Sequence, residues 1–211
     1  MTKYKVVLFD ADGVIVTPKN KFSHQFAEKY GIDPEHFQEF FKGDFTKAII
    51  GQADLKNVIL KYNHIWKWNN DPQELLDMWF ESENVINAKL LELVKELKIK
   101  GVRVCLATHQ EKYRAKYMRD VMFPGVFDDY FISSEIGAIK TTAAYWDFVL
   151  TQLKKDIPDI KPSEILFFDD TQQNIDAANK AGIKGIYYND IEQVKTVLTF
   201  DMSLYNNVIL S

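Results

Sequence analysis

Four aspartates and two neighbouring polar residues stand where short apolar runs end. Asp10 and Asp12 follow the run Tyr4 to Phe9, Thr108 and His109 follow Val102 to Ala107, and Asp169 and Asp170 follow Ile165 to Phe168. If these runs are strands of an open parallel sheet, their carboxyl ends are where a ligand binds, so residues far apart in the chain should meet there. Carboxylates that meet repel one another. At an effective dielectric of about 20, each close pair costs on the order of 4 kcal/mol before relaxation. A cation is needed to hold the cluster together. The donors are nearly all carboxylates, with no cysteine or clustered histidine beside them, which points to a hard ion. Mg2+ takes one or two carboxylates and leaves positions for water and for a phosphate oxygen. One such aspartate alone would read as a helix cap or turn residue. Four at two strand ends, with Thr108 and His109 at a third, read as a phosphate site.

The elements that must position these residues follow from periodicity. The three runs, a fourth at Ile186 to Tyr188 and a further one at Tyr130 to Ile132 are too short for helices and rich in β-branched or aromatic residues, as buried parallel strands are. Between them, Leu90, Leu91, Val94 and Leu97 form an apolar stripe before Gly101, and Ile175, Ala178 and Ala181 form another before Gly182. Each glycine suits a helix C-terminus. Strand alternating with helix predicts an α/β fold with a doubly wound, mainly parallel sheet.

Residues 16–86 break this alternation, being long and helical in signal without a convincing strand. Asp33-Pro34 and Asp71-Pro72 each place a capping aspartate before a proline at a first helical position, and Glu74 follows Asp71 by three residues. The expected organisation is an α/β core from residues 1–15 and 87–211, with an α-helical insertion over 16–86 placed directly after the first strand. Its aromatic residues, among them Phe40, Phe41, Phe45, Tyr62, Trp66, Trp68 and Trp79, are expected to build its own small core. Lys42, Asp44 and Lys47, around Gly43, read as a solvated edge.

Composition narrows the function classes. The chain of 211 residues is 46% hydrophobic and carries a net charge of -4, enough apolar content to bury a core and no global basic field that would favour nucleic acid or an anionic membrane surface. The single cysteine, Cys105, lies in an apolar run and reads as a buried small hydrophobe. It suits a reducing compartment. No apolar stretch approaches the roughly 20 residues that span a bilayer, and the start of the chain lacks a signal-peptide pattern, so the expected location is the cytoplasm.

Together these residues resemble the haloacid dehalogenase superfamily, in its phosphatase-like branch, through four motifs in order along the chain: Asp10-Ala11-Asp12-Gly13, Thr108 closing the second core strand, Lys140 in Gly137-Ala138-Ile139-Lys140, and Asp169-Asp170 with Asn174 downstream. The resemblance implies a Rossmann-like core, and it implies that the insertion is the cap that closes over the core and selects the leaving group. It implies that Asp10 attacks phosphorus and forms an aspartyl-phosphate, and that Asp12 protonates the leaving oxygen and then deprotonates the attacking water, which calls for a raised pKa from neighbouring carboxylates and partial burial. Mg2+ would be held by Asp10, the backbone carbonyl of Asp12 and Asp170, with Asp169 acting through water. Thr108 and Lys140 would bind the transferring phosphoryl group, Lys140 as a mobile ammonium, and Asn174 would orient Lys140 or a metal-bound oxygen.

Two positions depart from the family pattern. His109 stands where many members have asparagine, either assisting phosphate binding or lending only its backbone N–H. Thr141-Thr142 follow Lys140 where most have proline, which is expected to loosen that loop. The function this implies is hydrolysis of a small phosphomonoester, sugar phosphates among the candidates, on a small-molecule substrate with no nucleic acid or membrane partner. The rivals are a phosphoglucomutase-like mutase, which would share every core residue, and a phospholigand-binding or interaction protein without turnover. A dehalogenase is disfavoured by Asp12. A receiver-type signalling domain is excluded by the order of its motifs.

Overall fold

The computed structural model describes residues 3–206, with side chains as far as residue 198. A five-stranded parallel sheet has the order β3-β2-β1-β4-β5, with β1 Val6–Phe9, β2 Arg103–Thr108, β3 Asp129–Ile132, β4 Ile165–Asp169 and β5 Lys184–Tyr187. The α/β, doubly wound class expected from the sequence is the one observed, and all five expected strands are present. β1 is central, pairing with β2 on one side and β4 on the other, so that Phe9 lies level with both Leu106 and Phe168. Asp10, Thr108 and Asp169 therefore emerge side by side at the carboxyl edge.

All four side chains of β1 are buried because both faces of the sheet are covered. On one face Val7 and Phe9 pack with Leu90, Val94 and Leu97 of helix Ala88–Ile99. On the other Val6 and Leu8 pack with Tyr145, Trp146 and Val149 of helix Ala143–Asp156 and with Ile175 and Ala178 of helix Gln172–Lys180. The fifth strand begins two residues earlier than its apolar run suggested. Lys184 and Gly185 hide it in the sequence, yet Gly185 is what the packing needs: a Cβ there would stand 2.9 Å from the Ile175 carbonyl oxygen.

Between β1 and helix Ala88–Ile99 lie five helices, Phe22–Tyr30, Glu35–Lys42, Asp44–Ile49, Leu55–Trp66 and Pro72–Ser82. The expected Asp71 cap forms, accepting the N–H of Gln73, whereas helix Glu35–Lys42 starts one residue later than expected, with Pro34 at its N-cap and Asp33 accepting the Glu35 N–H from just outside. These helices enclose their own apolar cluster, including Phe26, Phe37, Phe40, Trp66, Trp68 and Leu76. Trp66 is central to it, stacked on Phe37 and Tyr62 with Phe40 edge-on. Lys42, Asp44 and Lys47 form the expected outer edge, with Asp44 paired to Lys47 and Lys61.

The helical segment joins the sheet through two adjacent stretches that pair with each other. Val16 forms an antiparallel bridge with Ile86, flanked by hydrogen bonds from Thr17 N–H to the Val85 carbonyl and from Asn87 N–H to the Ile15 carbonyl, both 2.8 Å. Ser133, after β3, donates its hydroxyl to the Ile49 carbonyl at 2.7 Å, and the Tyr113 hydroxyl donates to Asp54 at 2.9 Å.

The Trp66 indole N–H is buried with no acceptor among the described residues. Trp66→Phe, which keeps the stacking and removes the orphaned donor, is expected to change unfolding free energy by less than about 1 kcal/mol. Trp66→Ala empties the centre of the helical cluster and is expected to cost about 3–5 kcal/mol, read from urea unfolding midpoints of the two variants.

Candidate active site

Lys140 organises the cluster. Its ammonium is 1% exposed and lies 2.8 Å from Asp10 Oδ1 and 2.7 Å from Asp169 Oδ2, and it also donates to the Ala107 carbonyl at 3.3 Å. All three donors are in use. Burial on its own would lower this ammonium's pKa, but Asp10 and Asp169 overcome it and raise the group. The expectation of a mobile lysine is thus corrected: two carboxylates at contact distance and a fully enclosed stem fix it. Asn174, on the first turn of helix Gln172–Lys180, donates to both oxygens of Asp169 at 3.0 Å, and the Thr171 N–H donates to Asp169 Oδ1 at 2.8 Å. Asp169 accepts four bonds in all, the full capacity of a carboxylate.

The expected loosening of the Lys140 loop is also corrected. His109 Nε2 accepts the Lys140 backbone N–H at 2.7 Å, and the Trp146 indole N–H donates to the Lys140 carbonyl at 2.6 Å. The peptide groups on both sides of Lys140 are therefore tied to the sheet end and to helix Ala143–Asp156, without a proline at 141. Burial, with Lys140 adding to it, lowers the His109 pKa to about 3, so the ring is neutral and Nε2 is free to accept. Sequence reasoning left His109 between phosphate contact and bystander, and the structure shows a third use, as a backbone acceptor.

Asp10 is 7% exposed, and its Oδ1 accepts the Ala11 N–H at 2.7 Å as well as Lys140. Among the described residues no donor reaches its Oδ2. Burial pushes the Asp10 pKa up to about 7, opposed by Lys140 and reinforced by Asp169. Oxygens of Asp10, Asp169 and Asp170 lie within 4.8 Å of one another. Asp170 is exposed, and burial of part of its carboxyl, with Asp169 beside it, raises its pKa too. Gly13 lets this carboxylate come close: its φ of +85° favours glycine, and a Cβ there would overlap Asp170 Oδ2. An all-carboxylate donor set fits a hard divalent cation. Thr108 is 1% exposed at the end of β2, and its Oγ1 accepts from Gln110 Nε2 at 3.4 Å.

Asp12 does not sit as expected. Its side chain is 52% exposed rather than crowded among carboxylates, with Gln110 Nε2 2.6 Å from Oδ2 and Arg114 Nη2 3.1 Å from Oδ1. Arg114, on helix Lys112–Tyr117, also lies 3.2 Å from Glu83 Oε2 at the end of the helical segment. Sequence reasoning missed Gln110, Arg114 and Glu83. The available signal was only a glutamine and an arginine just past the β2 end, Gln110 in the loop before helix Lys112–Tyr117 and Arg114 on that helix. From this end a cavity of about 730 Å³ runs outward between the sheet edge and the helical segment, with Asp12, Asp170, Phe41 and Trp79 among its walls.

Residues 4–182 of the chain match the family of haloacid dehalogenase-like hydrolases. The chain belongs to this family. Among solved structures, this hydrolase is similar to the HAD family enzyme bt-2542 of Bacteroides thetaiotaomicron, at 20% identity and a TM-score of 0.74 over 88% of this chain and 94% of that one. It is likewise similar to a predicted HAD-like family hydrolase from Porphyromonas gingivalis, at 18% identity and a TM-score of 0.73 over 93% and 98% of the two chains. At such identities these likenesses speak to the fold. Among curated proteins it is 29% identical over 105 residues to the sesquiterpene phosphatase astK of Aspergillus oryzae, covering 49% of this chain and 51% of that one. The hydrolase thus aligns with about half the length of that relative. No described helix is long and apolar enough to cross a membrane.

Gly13→Ala is expected to displace Asp170 and weaken divalent-cation binding at least tenfold, read by calorimetric titration with Mg2+. Affinity equal to that of the unaltered protein would show that Asp170 takes no part in holding the ion.

Proposed function

We propose that this hydrolase is a Mg2+-dependent phosphatase acting on a small phosphomonoester through an aspartyl-phosphate on Asp10, with residues 16–86 as its cap. The observation that carries the reading is the asymmetry of Asp10. One oxygen is held by Lys140 and the Ala11 N–H, while the other has no donor among the described residues, and the carboxyl clusters with Asp170, itself part of the cavity wall. A carboxylate with one oxygen anchored and one free is oriented for in-line attack. The phosphatase astK and a bt-2542 structure described as a complex with magnesium and inorganic phosphate support the same reading.

Mg2+ would be held by Asp10, Asp170 and the Asp12 carbonyl, and when bound it supplies charge neutralisation at the phosphoryl oxygens. The chain's own groups do the rest. Thr108 offers its hydroxyl to a phosphoryl oxygen. Lys140 balances the charge on Asp10, and Asp169, itself held by Asn174, keeps that ammonium in place, as a positioning group rather than a direct ligand. Asp12, two residues after Asp10, lines the cavity, where it can meet a leaving oxygen. It donates a proton there and takes one from water in the second step. Arg114 and Gln110 fix the direction of its carboxylate. Phosphate release should require Mg2+, and Asp10→Asn should lower kcat/KM by roughly 10⁴-fold or more. The wild type matching that variant on sugar phosphates, nucleotides and short organic phosphates alike would refute the reading.

Proton and metal compete for Asp10. Because its folded-state pKa is raised from 3.8 to about 7, the metal-free folded protein holds this proton more tightly than the unfolded chain does. Asp10's contribution to metal-free stability is therefore lost as pH rises from about 4 to 7. Below pH 7 Mg2+ must displace the proton, so its affinity should fall about tenfold per pH unit and level off above 7. The rise in Tm caused by Mg2+ should accordingly grow between pH 5.5 and 7 and then flatten. A rise independent of pH would contradict the Asp10 assignment.

A further inference from the structure

We infer that the leaving group accepted by this site is apolar, a hydrocarbon or aromatic alcohol rather than a sugar or other polyol. The inference rests on the phosphatase reading for its chemistry and on the cavity for its content. Beyond its catalytic end, the cavity is walled by Phe37, Phe41 and Phe45 from helices Glu35–Lys42 and Asp44–Ile49 and by Trp79 and Phe80 from the single helix Pro72–Ser82. Its volume of about 730 Å³ lies within the roughly 300–1,000 Å³ of sites that enclose a whole small molecule. These rings serve two purposes. Phe40, Trp66 and Trp68 fill the cap interior, whereas Phe41, Phe45 and Trp79 pack against one another and also turn a face toward the open space.

The polar groups of the wall decide between an apolar and a hydroxylated guest. A polyol bound there needs donors and acceptors that are free to pair with it, because each hydroxyl loses its water on entry. At the catalytic end Arg114 Nε has no hydrogen-bond partner among the described residues, but the wall carboxylates of Glu83 and Glu111 are already engaged. Glu83 accepts the Phe22 N–H at 2.8 Å through Oε1 and the Trp79 indole N–H at 2.9 Å through Oε2, the oxygen that also faces Arg114. The Trp79 indole therefore presents only its ring. Glu111 accepts the backbone N–H groups of Tyr113 and Arg114 at the start of helix Lys112–Tyr117. Away from the catalytic end and beyond the Ser23 hydroxyl, the remaining polar side chains of the wall, Lys21, His24 and Gln38 with Thr17, are exposed at the mouth. Between a charged inner end and a polar mouth, the middle of the site has rings to offer and few free hydrogen-bonding groups.

The test uses the full chain with Mg2+ and the n-alkyl monophosphates from ethyl to octyl, beside glycerol phosphate and glucose phosphate. Transfer of each methylene from water should raise kcat/KM about threefold to fourfold until the cavity is filled, and octyl phosphate should exceed both polyol phosphates by at least 100-fold. Phe41→Ala and Phe45→Ala should each lower the octyl-to-ethyl ratio of kcat/KM at least tenfold. That ratio is taken within one preparation, so a partly unfolded variant does not distort it. Calorimetric binding of octylphosphonate and methylphosphonate to the Asp10→Asn protein reads the cavity without turnover, with the octyl compound expected to bind at least 30-fold more tightly. Chain-length-dependent binding with no hydrolysis of any ester would overturn the phosphatase reading and leave the apolar site standing. Hydrolysis of polyol phosphates as fast as octyl phosphate, with no gain along the alkyl series, would overturn the apolar site and leave the phosphatase standing.

Discussion

An ammonium enclosed between two carboxylates holds the carboxyl edge of this hydrolase's sheet together. Lys140 contacts Asp10 and Asp169 with almost no exposure to water, and neither carboxylate would tolerate its burial without that charge. Removing one partner from such a cluster typically costs about 3–5 kcal/mol, because the remaining charges stay buried and uncompensated. Once Asp10, whose pKa is raised to about 7, gives up its proton, the trio is net negative, one cation against two anions. The cluster is therefore both a structural clasp and an anionic cradle, and its excess charge is what a divalent cation beside Asp10 and Asp170 would meet. Asp169 spends all its acceptor capacity on Lys140, Asn174 and the Thr171 N–H, which leaves Asp10 as the member of the trio with an oxygen to spare.

Fixing an ammonium requires fixing the backbone that carries it. His109 and Trp146 do so by hydrogen bonds to the peptide groups flanking Lys140, a solution that replaces conformational restriction by proline with two directional contacts. The neutrality of His109 is part of it. A protonated ring would lose its acceptor nitrogen and place a second cation beside Lys140, and burial disfavours that state. The substitution of histidine for the more usual asparagine and the absence of proline thus concern one loop and have one structural answer.

Much of the core was legible because its signals are local. Short apolar runs ending in Asp, Thr or Asp-Asp mark strands and their ligand-binding ends together, and that placed Asp10, Thr108, Asp169 and Asp170. The setting of Lys140 was not legible, since Ile139-Lys140-Thr141-Thr142 looks like an ordinary solvated loop and its partners lie 29 and 130 residues away. Arg114 was hidden for the opposite reason. It sits among Lys112 and Lys116 on a short helix where basic residues are usually solvated, and only the tertiary fold turns it inward to Asp12 and Glu83. The division of the aromatic residues of the helical segment between interior and cavity wall also depends on helix orientation, which a list of aromatic positions does not carry.

The central position of β1 bears on how the molecule comes to exist. Its hydrogen-bonded neighbours begin at Arg103 and Ile165, so the strand that carries Asp10 is made before both of its partners and is paired on both sides only after β4 exists. Domains emerging from synthesis fold as units, and long-range strand pairing is slow because loop closure must precede its reward. The helical segment, with its own apolar cluster and a paired stem at Val16 and Ile86, can gather from local contacts while the sheet is still waiting for β4. During that interval Asp10 is an ordinary solvated carboxylate near the start of an unfinished chain. Its burial, its raised pKa and its contact with Lys140 all arise together, when β4 inserts beside β1 and delivers Asp169.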